Sequence, residues 1–142
     1  MPSVIPSAKI ERALRTKLRT EGYEVSRARA NGETGVDILA TRRGKQLHIE
    51  VISFKSSGPA RSKDFMQSFF RAISRIDDGA KRCIIALAER SRDGLPQRAR
   101  QYGSAWRRIG LSFPELEIWL VDHRTKSYTP TKWNDWLSNE EL

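Results

Sequence analysis

The sequence predicts an α/β fold on one mixed sheet, in the order helix, three strands, helix, strand, with a helix and a further strand appended at the C-terminal end. Three observations carry this expectation. Apolar residues recur at helical spacing in three segments, Ile10 to Leu18, Phe65 to Ile76 and Leu95 to Ile109. Between and after them lie short runs rich in β-branched residues: GVDILA, LHIEVIS, CIIALA and ELEIWLV. Turn residues punctuate the series at Gly22, ANGETG, SSGP and Gly79.

Taken in order, Ser7 is a reasonable N-cap, and Ile10, Leu14 and Leu18 give the first helix a narrow buried stripe ending near Gly22. Arg12, Arg15 and Arg19 follow the i, i+3, i+7 rule on its other side, which is either a solvated face or one suited to phosphates. Tyr23 to Arg29 reads as a short strand, and Ala30 to Gly35 as a turn. A hairpin follows, with strands over Val36 to Thr41 and Gln46 to Phe54 joined through Arg42 to Lys45, a basic turn read chiefly as solubilising. SSGP breaks the sheet, and a helix is expected over Ser62 to Ile76. Lys81 to Ala88 is a continuous apolar strand of the kind covered on both faces, which makes the preceding helix a crossover. Leu95, Ala99, Tyr102, Trp106 and Ile109 give the clearest helical period. Glu115 to Val121 is a further strand, and the tail with Trp133, Trp136 and Leu137 is expected to dock as a short helix.

The 142 residues suit a single domain over positions 1–142. No apolar run approaches the roughly 18 to 20 residues of a membrane span, and the N-terminus lacks the apolar core of a signal peptide, so a soluble, cytoplasmic protein is expected. The lone Cys83, beside Ile84 and Ile85, reads as a buried strand residue. A net charge of +9 favours polyanions, nucleic acid above all, through counterion release. The excess is concentrated early: residues 1–71 hold 14 Lys or Arg against 7 Asp or Glu, and residues 72–142 hold 12 against 10. Zinc-cluster and P-loop chemistry have no motif here, and two histidines, His48 and His123, leave a histidine-based hydrolase few parts.

Two carboxylates stand out. Asp37 interrupts GVDILA on the strand face opposite Val36 and Ile38, and Glu50 is the one acidic residue of LHIEVIS. Either is costly to bury without a cation or hydrogen bonds. A hard divalent cation such as Mg²⁺ is held by one or two carboxylates with water and phosphate oxygens, so the pair makes a candidate metal site.

GVDILA, followed after a short basic turn by HIEVI, resembles the Asp, then Glu-x-Lys, hairpin of the PD-(D/E)XK nuclease superfamily, and the helix, three strands, helix, strand order over residues 7–88 is that superfamily's core. The resemblance implies a restriction endonuclease-like fold and Mg²⁺- or Mn²⁺-dependent hydrolysis of DNA phosphodiesters, with Asp37 and Glu50 as metal ligands. It also makes Glu11 a possible further acidic residue of the site, the alternative being an ordinary exposed helical Glu. Gln67 resembles the glutamine of a Q-x-x-x-Y motif, although position 71 is Arg. Lys63, Gln67 and Arg71 form a polar stripe on the second helix, and Lys63 and Arg71, with the arginines of the first helix, are the expected phosphate contacts. Ile52 stands where the superfamily has its lysine. Lys55 is the nearest replacement if the strand's end turns it back, and Lys63 the other. His48 shares the face of Glu50 and is read first as a structural histidine. The competing function is a catalytically impaired, regulatory nuclease-fold module that binds nucleic acid or a protein; a third is a structural or homodimeric domain in contact through its C-terminal tryptophans.

Overall fold

The computed structural model describes residues 4–27 and 36–138. The turn expected over positions 30–35 lies outside them. The first helix, α1 (Ser7–Thr20), starts after an extended Pro6, so Ser7 is its first residue rather than its cap. Proline's fixed φ and missing N–H suit that place. Ile10, Ala13, Leu14 and Leu18 are buried as their spacing requires. Of the strand expected over positions 23–29, 28 and 29 lie outside the described residues, and among the rest β1 (Glu24–Val25) makes two rungs, to Thr41 and Ala40.

β2 (Ile38–Arg42) and β3 (Lys45–Val51) form the hairpin through a two-residue turn, with Arg43 and Gly44 at φ 53° and 75°. That left-handed pair matches the natural twist of the strands. β3 stops short of the expected Phe54, which instead makes a lone antiparallel bridge to Ile5. The next helix, α2 (Gly58–Ser74), begins earlier than Ser62 because Ser57 Oγ accepts the Ala60 N–H at 3.2 Å and Pro59 sits in the first turn, where its missing N–H costs nothing. Removing that cap in Ser57→Ala is expected to lower unfolding free energy by about 1 kcal/mol in a urea titration.

A 3-10 turn (Arg75–Asp78) leads to β4 (Cys83–Ala88), all six residues of which are buried. Burial pushes the Cys83 thiol up to about 11, in keeping with an inert core cysteine. The single helix expected from Leu95 is broken into α3 (Leu95–Tyr102) and α4 (Ser104–Ser112) at Gly103, whose φ of 50° with ψ −115° is open to glycine and strained for other residues. β5 (Leu116–Asp122) is followed by β6 (Ser127–Lys132), a strand hidden in the sequence by its polar composition and Pro130. Proline is tolerated there because β6 pairs only with β5, at the sheet's edge.

Among the described residues six strands lie side by side in chain order, with β3, β4 and β5 parallel and the other pairs antiparallel. α1 covers one face over Leu47, Ile49, Ile84 and Ala86, while Phe65 and Phe69 of α2, Ala99 of α3 and Trp106 of α4 cover the other over Cys83, Ile85 and Leu87. The tail closes the second layer. Trp133 stacks on Trp106 with ring centres 3.9 Å apart, and each indole N–H donates to the other residue's carbonyl, at 2.9 and 2.8 Å. Trp136 is half-buried and donates to Thr131 Oγ1 at 2.9 Å. Of the tail tryptophans named as a dimer contact, Trp133 is buried in the protein's own core and Trp136 packs against it. Among the described residues no helix is long and apolar enough to cross a membrane.

Candidate active site

Side-chain alternation puts Leu47, Ile49 and Val51 against α1, and His48, Glu50 and Ile52 toward α2. The hairpin register pairs Ile38 with Ile49, and Asp37 lies just before β2, next to the end of β3 that carries Glu50 and Val51. Asp37 also continues the ladder with its side chain: the Val51 N–H donates to Asp37 Oδ2 at 2.8 Å. Glu50, 3% exposed, lies in β3 beside Ile85 of β4. Both carboxyl-bearing residues thus stand at the end of the hairpin where β3 gives way to coil.

Arg15 ties α1 to that place. Its guanidinium donates from Nε to Glu11 Oε2 at 3.0 Å, from Nη2 to the Asp37 carbonyl at 2.8 Å, and from Nη1 to the Ser26 carbonyl. At 7% exposure it is not the phosphate contact expected of it. Three positions along a helix is about 300°, so Arg15 lies only some 60° around from Leu18, at the margin of the buried stripe. Arg12 and Arg19 remain exposed. Arg15 thereby links Glu11 to the Asp37 backbone.

Beyond β3, a cleft of about 180 Å³ is lined by Ile52, Lys55, Asp64, Gln67 and Arg71. The strand's end frees Lys55 from alternation and turns it to the side of Ile52. There its ammonium meets Asp64 Oδ2 at 3.1 Å, a partner the sequence reading missed. Gln67 and Arg71 share the cleft, while Lys63, one turn earlier on α2, is exposed and does not line it. His48 is buried near Arg75 and Asp78 of the 3-10 turn, away from the cleft. Burial, opposed by the Asp78 charge and aided by that of Arg75, holds its imidazole below its usual value, and its Nδ1 has no hydrogen-bond partner.

Among the described residues no group of three or more His, Cys, Asp or Glu is placed to hold a metal. Two carboxylates are still a sufficient protein share for a hard cation that keeps water and takes substrate phosphate oxygens. Asp37 and Glu50 offer oxygen donors, the type such an ion takes.

The restriction endonuclease family model Mrr_cat matches residues 4–112, more than three-quarters of the 142-residue chain and all of the elements just described as far as α4. The chain belongs to the restriction endonuclease family. Restriction endonuclease-like proteins usually use divalent metal ions, which agrees with the oxygen donors at the end of the hairpin. Among solved structures, the chain is similar to a fdxN element excision controlling factor protein from Anabaena variabilis, at 15% identity and TM-score 0.57, over 86% of this chain and 96% of that one. It is also similar to an XisH family protein from Nostoc punctiforme, at 14% identity and TM-score 0.56, over 87% and 98%. At such identities the likeness is one of fold. No curated protein gives a significant match. Within the restriction endonuclease family this chain carries Ile52 two residues after Glu50, with Lys55 beside it in space.

Proposed function

We propose that this restriction endonuclease family member is an Mg²⁺- or Mn²⁺-dependent DNA phosphodiesterase. The observation that supports the reading is the hydrogen bond from the Val51 N–H, directly after Glu50, to Asp37 Oδ2, beside a cleft lined by Lys55, Gln67 and Arg71. Asp37 and Glu50 would hold the ion, which when bound lowers the pKa of a water and polarises a phosphate. Arg71, with Arg12 and Arg19 on α1, binds the polyanion, and the net charge of +9 draws it in. Gln67 orients a water or phosphate oxygen through its amide. Lys55 stabilises charge on the phosphate in the place Ile52 leaves empty of any ammonium. Its bond to Asp64 holds it at the cleft and is exchanged for the substrate's anionic oxygen.

Incubation of labelled single- and double-stranded DNA with Mg²⁺, Mn²⁺ or EDTA tests the proposal: fragments are expected with either metal and none with EDTA. Absence of cleavage on both substrates with both metals would sink it. Lys55→Met is expected to lower kcat by about a hundredfold, the scale on which one charge-stabilising donor acts, with little change in KM. A second reading, an impaired nuclease-fold module that binds nucleic acid in a regulatory role, draws on Ile52 and on the commitment of Lys55 to Asp64. It predicts binding that weakens steeply with salt and survives loss of both carboxylates, with no turnover in any metal.

A further inference from the structure

Ile52 and Ser53 form a wall shared by the Lys55 cleft and a second pocket of about 200 Å³. This pocket lies between the first turn of α2, the ends of β3 and β4, and the segment leading into α3. Three guanidiniums line it, those of Arg61, Arg90 and Arg98, and among the described residues none that lines it is Asp or Glu. The arginines are set on an aromatic floor. The Cζ atoms of Arg61 and Arg90 lie 4.9 and 5.6 Å from the Phe54 ring centre, and that of Arg98 lies 4.9 Å from Phe65.

Cation–π contact of this kind fixes a planar guanidinium while leaving its edge to hydrogen-bond. Arg61 Nη1 donates to the Lys55 carbonyl at 2.7 Å, and Arg98 Nη1 donates to Ser62 Oγ at 3.1 Å. Because a guanidinium carries five N–H donors, a single anchoring bond leaves others for a ligand. Burial, together with the charge of Arg61 and against the influence of Tyr102, presses Arg98 below its usual value. Like charges gathered on an apolar floor are relieved by an anion, and arginine forks match phosphate oxygens two at a time.

We propose that this pocket seats the terminal phosphate of a nucleic-acid strand, with the adjoining chain running over the Ile52–Ser53 wall into the Lys55 cleft. An internal diester carries one negative charge and continues on both sides. A terminal monoester carries nearly two and continues on one, which suits a pocket of several guanidiniums joined to the cleft along one wall. The inference rests on the proposed function for the polyanion's being nucleic acid, and it makes the preferred substrate a strand with a phosphorylated end.

Fluorescence anisotropy in EDTA, where no hydrolysis intrudes, compares one labelled oligonucleotide bearing a 5′-phosphate, a 3′-phosphate, or hydroxyls at both ends. One phosphorylated form is expected to bind about tenfold more tightly or better, and the preference to vanish in Arg61→Gln/Arg98→Gln. Equal affinity of the three forms for the unaltered protein overturns the inference without recourse to any variant, as does a preference that persists in a folded double variant. A nucleoside monophosphate that competes as well as the phosphorylated oligonucleotide overturns it too, in favour of a free nucleotide. End preference without cleavage in any metal removes the proposed function and leaves this inference standing. Cleavage indifferent to the strand end does the reverse.

Discussion

In Asp37→Asn and in Glu50→Gln, metal-dependent DNA cleavage is expected to fall by about a thousandfold or more, a loss of roughly 4 kcal/mol of transition-state stabilisation. The amides keep the size of the carboxylates, and an Asn at 37 still offers an oxygen to the Val51 N–H, so the hairpin end is preserved. What they remove is the negative charge that makes an oxygen pair a site for a divalent ion. Calorimetric titration with Mn²⁺ should show the same loss, while circular dichroism and thermal unfolding should stay close to those of the unaltered protein. DNA binding in EDTA should persist in both variants, because the exposed arginines are untouched. Retention of more than a tenth of the activity in either variant would mean that the scissile phosphate is managed elsewhere.

The second large effect concerns stability. Glu117, 2% exposed within β5, receives two parallel hydrogen bonds from Arg82, at 2.7 and 2.8 Å, and a third from the Trp119 indole at 3.1 Å. Breaking a buried pair from one side strands the other charge, at a cost of roughly 3–5 kcal/mol. The Arg82 side chain is itself 42% exposed, so Arg82→Ala is expected to cost less, about 2–3 kcal/mol in a denaturant titration. Burial alone would raise the Glu117 carboxyl, but the bonds from Arg82 and Trp119 and the nearby positive charges outweigh it and hold the group below the usual carboxylate range. A depressed folded-state pKa means that the stabilisation is complete above the unfolded-state value and drains away as pH falls through the folded-state value. Acid unfolding of the native protein should therefore be steeper than that of Glu117→Gln, which has no proton to take up at that position. A neutral-pH unfolding free energy for Arg82→Ala within 0.5 kcal/mol of the native value, about the size of an ordinary surface substitution, would contradict the assignment.

Glu117 is also instructive for what can be read from a sequence. It interrupts ELEIWLV much as Asp37 interrupts GVDILA and Glu50 interrupts LHIEVIS, and by the same physical argument each needs compensation. For Glu117 the compensation is an arginine 35 residues away. For Asp37 and Glu50 the hairpin turn between them is local, so their placement at the same end of the hairpin could be anticipated from loop length alone. The same locality made α1, α2, the hairpin and β4 legible, since helical and strand periods involve neighbours in the chain. It failed where a single residue or the far side of the fold decides: Gly103 divides an otherwise unbroken helical period, Arg15 turns inward on a helix whose other arginines face out, and β6 is a strand because β5 offers it an edge.

By itself the sequence determined the succession of elements from α1 to β4, the cationic character, and the two acidic residues of the hairpin segment, because all three follow from side-chain pattern and composition. Only the tertiary structure decided that Lys55 stands beside Ile52 and against Asp64, that Trp133 is a core residue with Trp136 packed against it, and that Arg61 and Arg98 line one pocket, each over its own phenylalanine ring. Those outcomes depend on where helices and strand ends are set relative to one another in space, and a long-range contact leaves no period in the chain from which to read it.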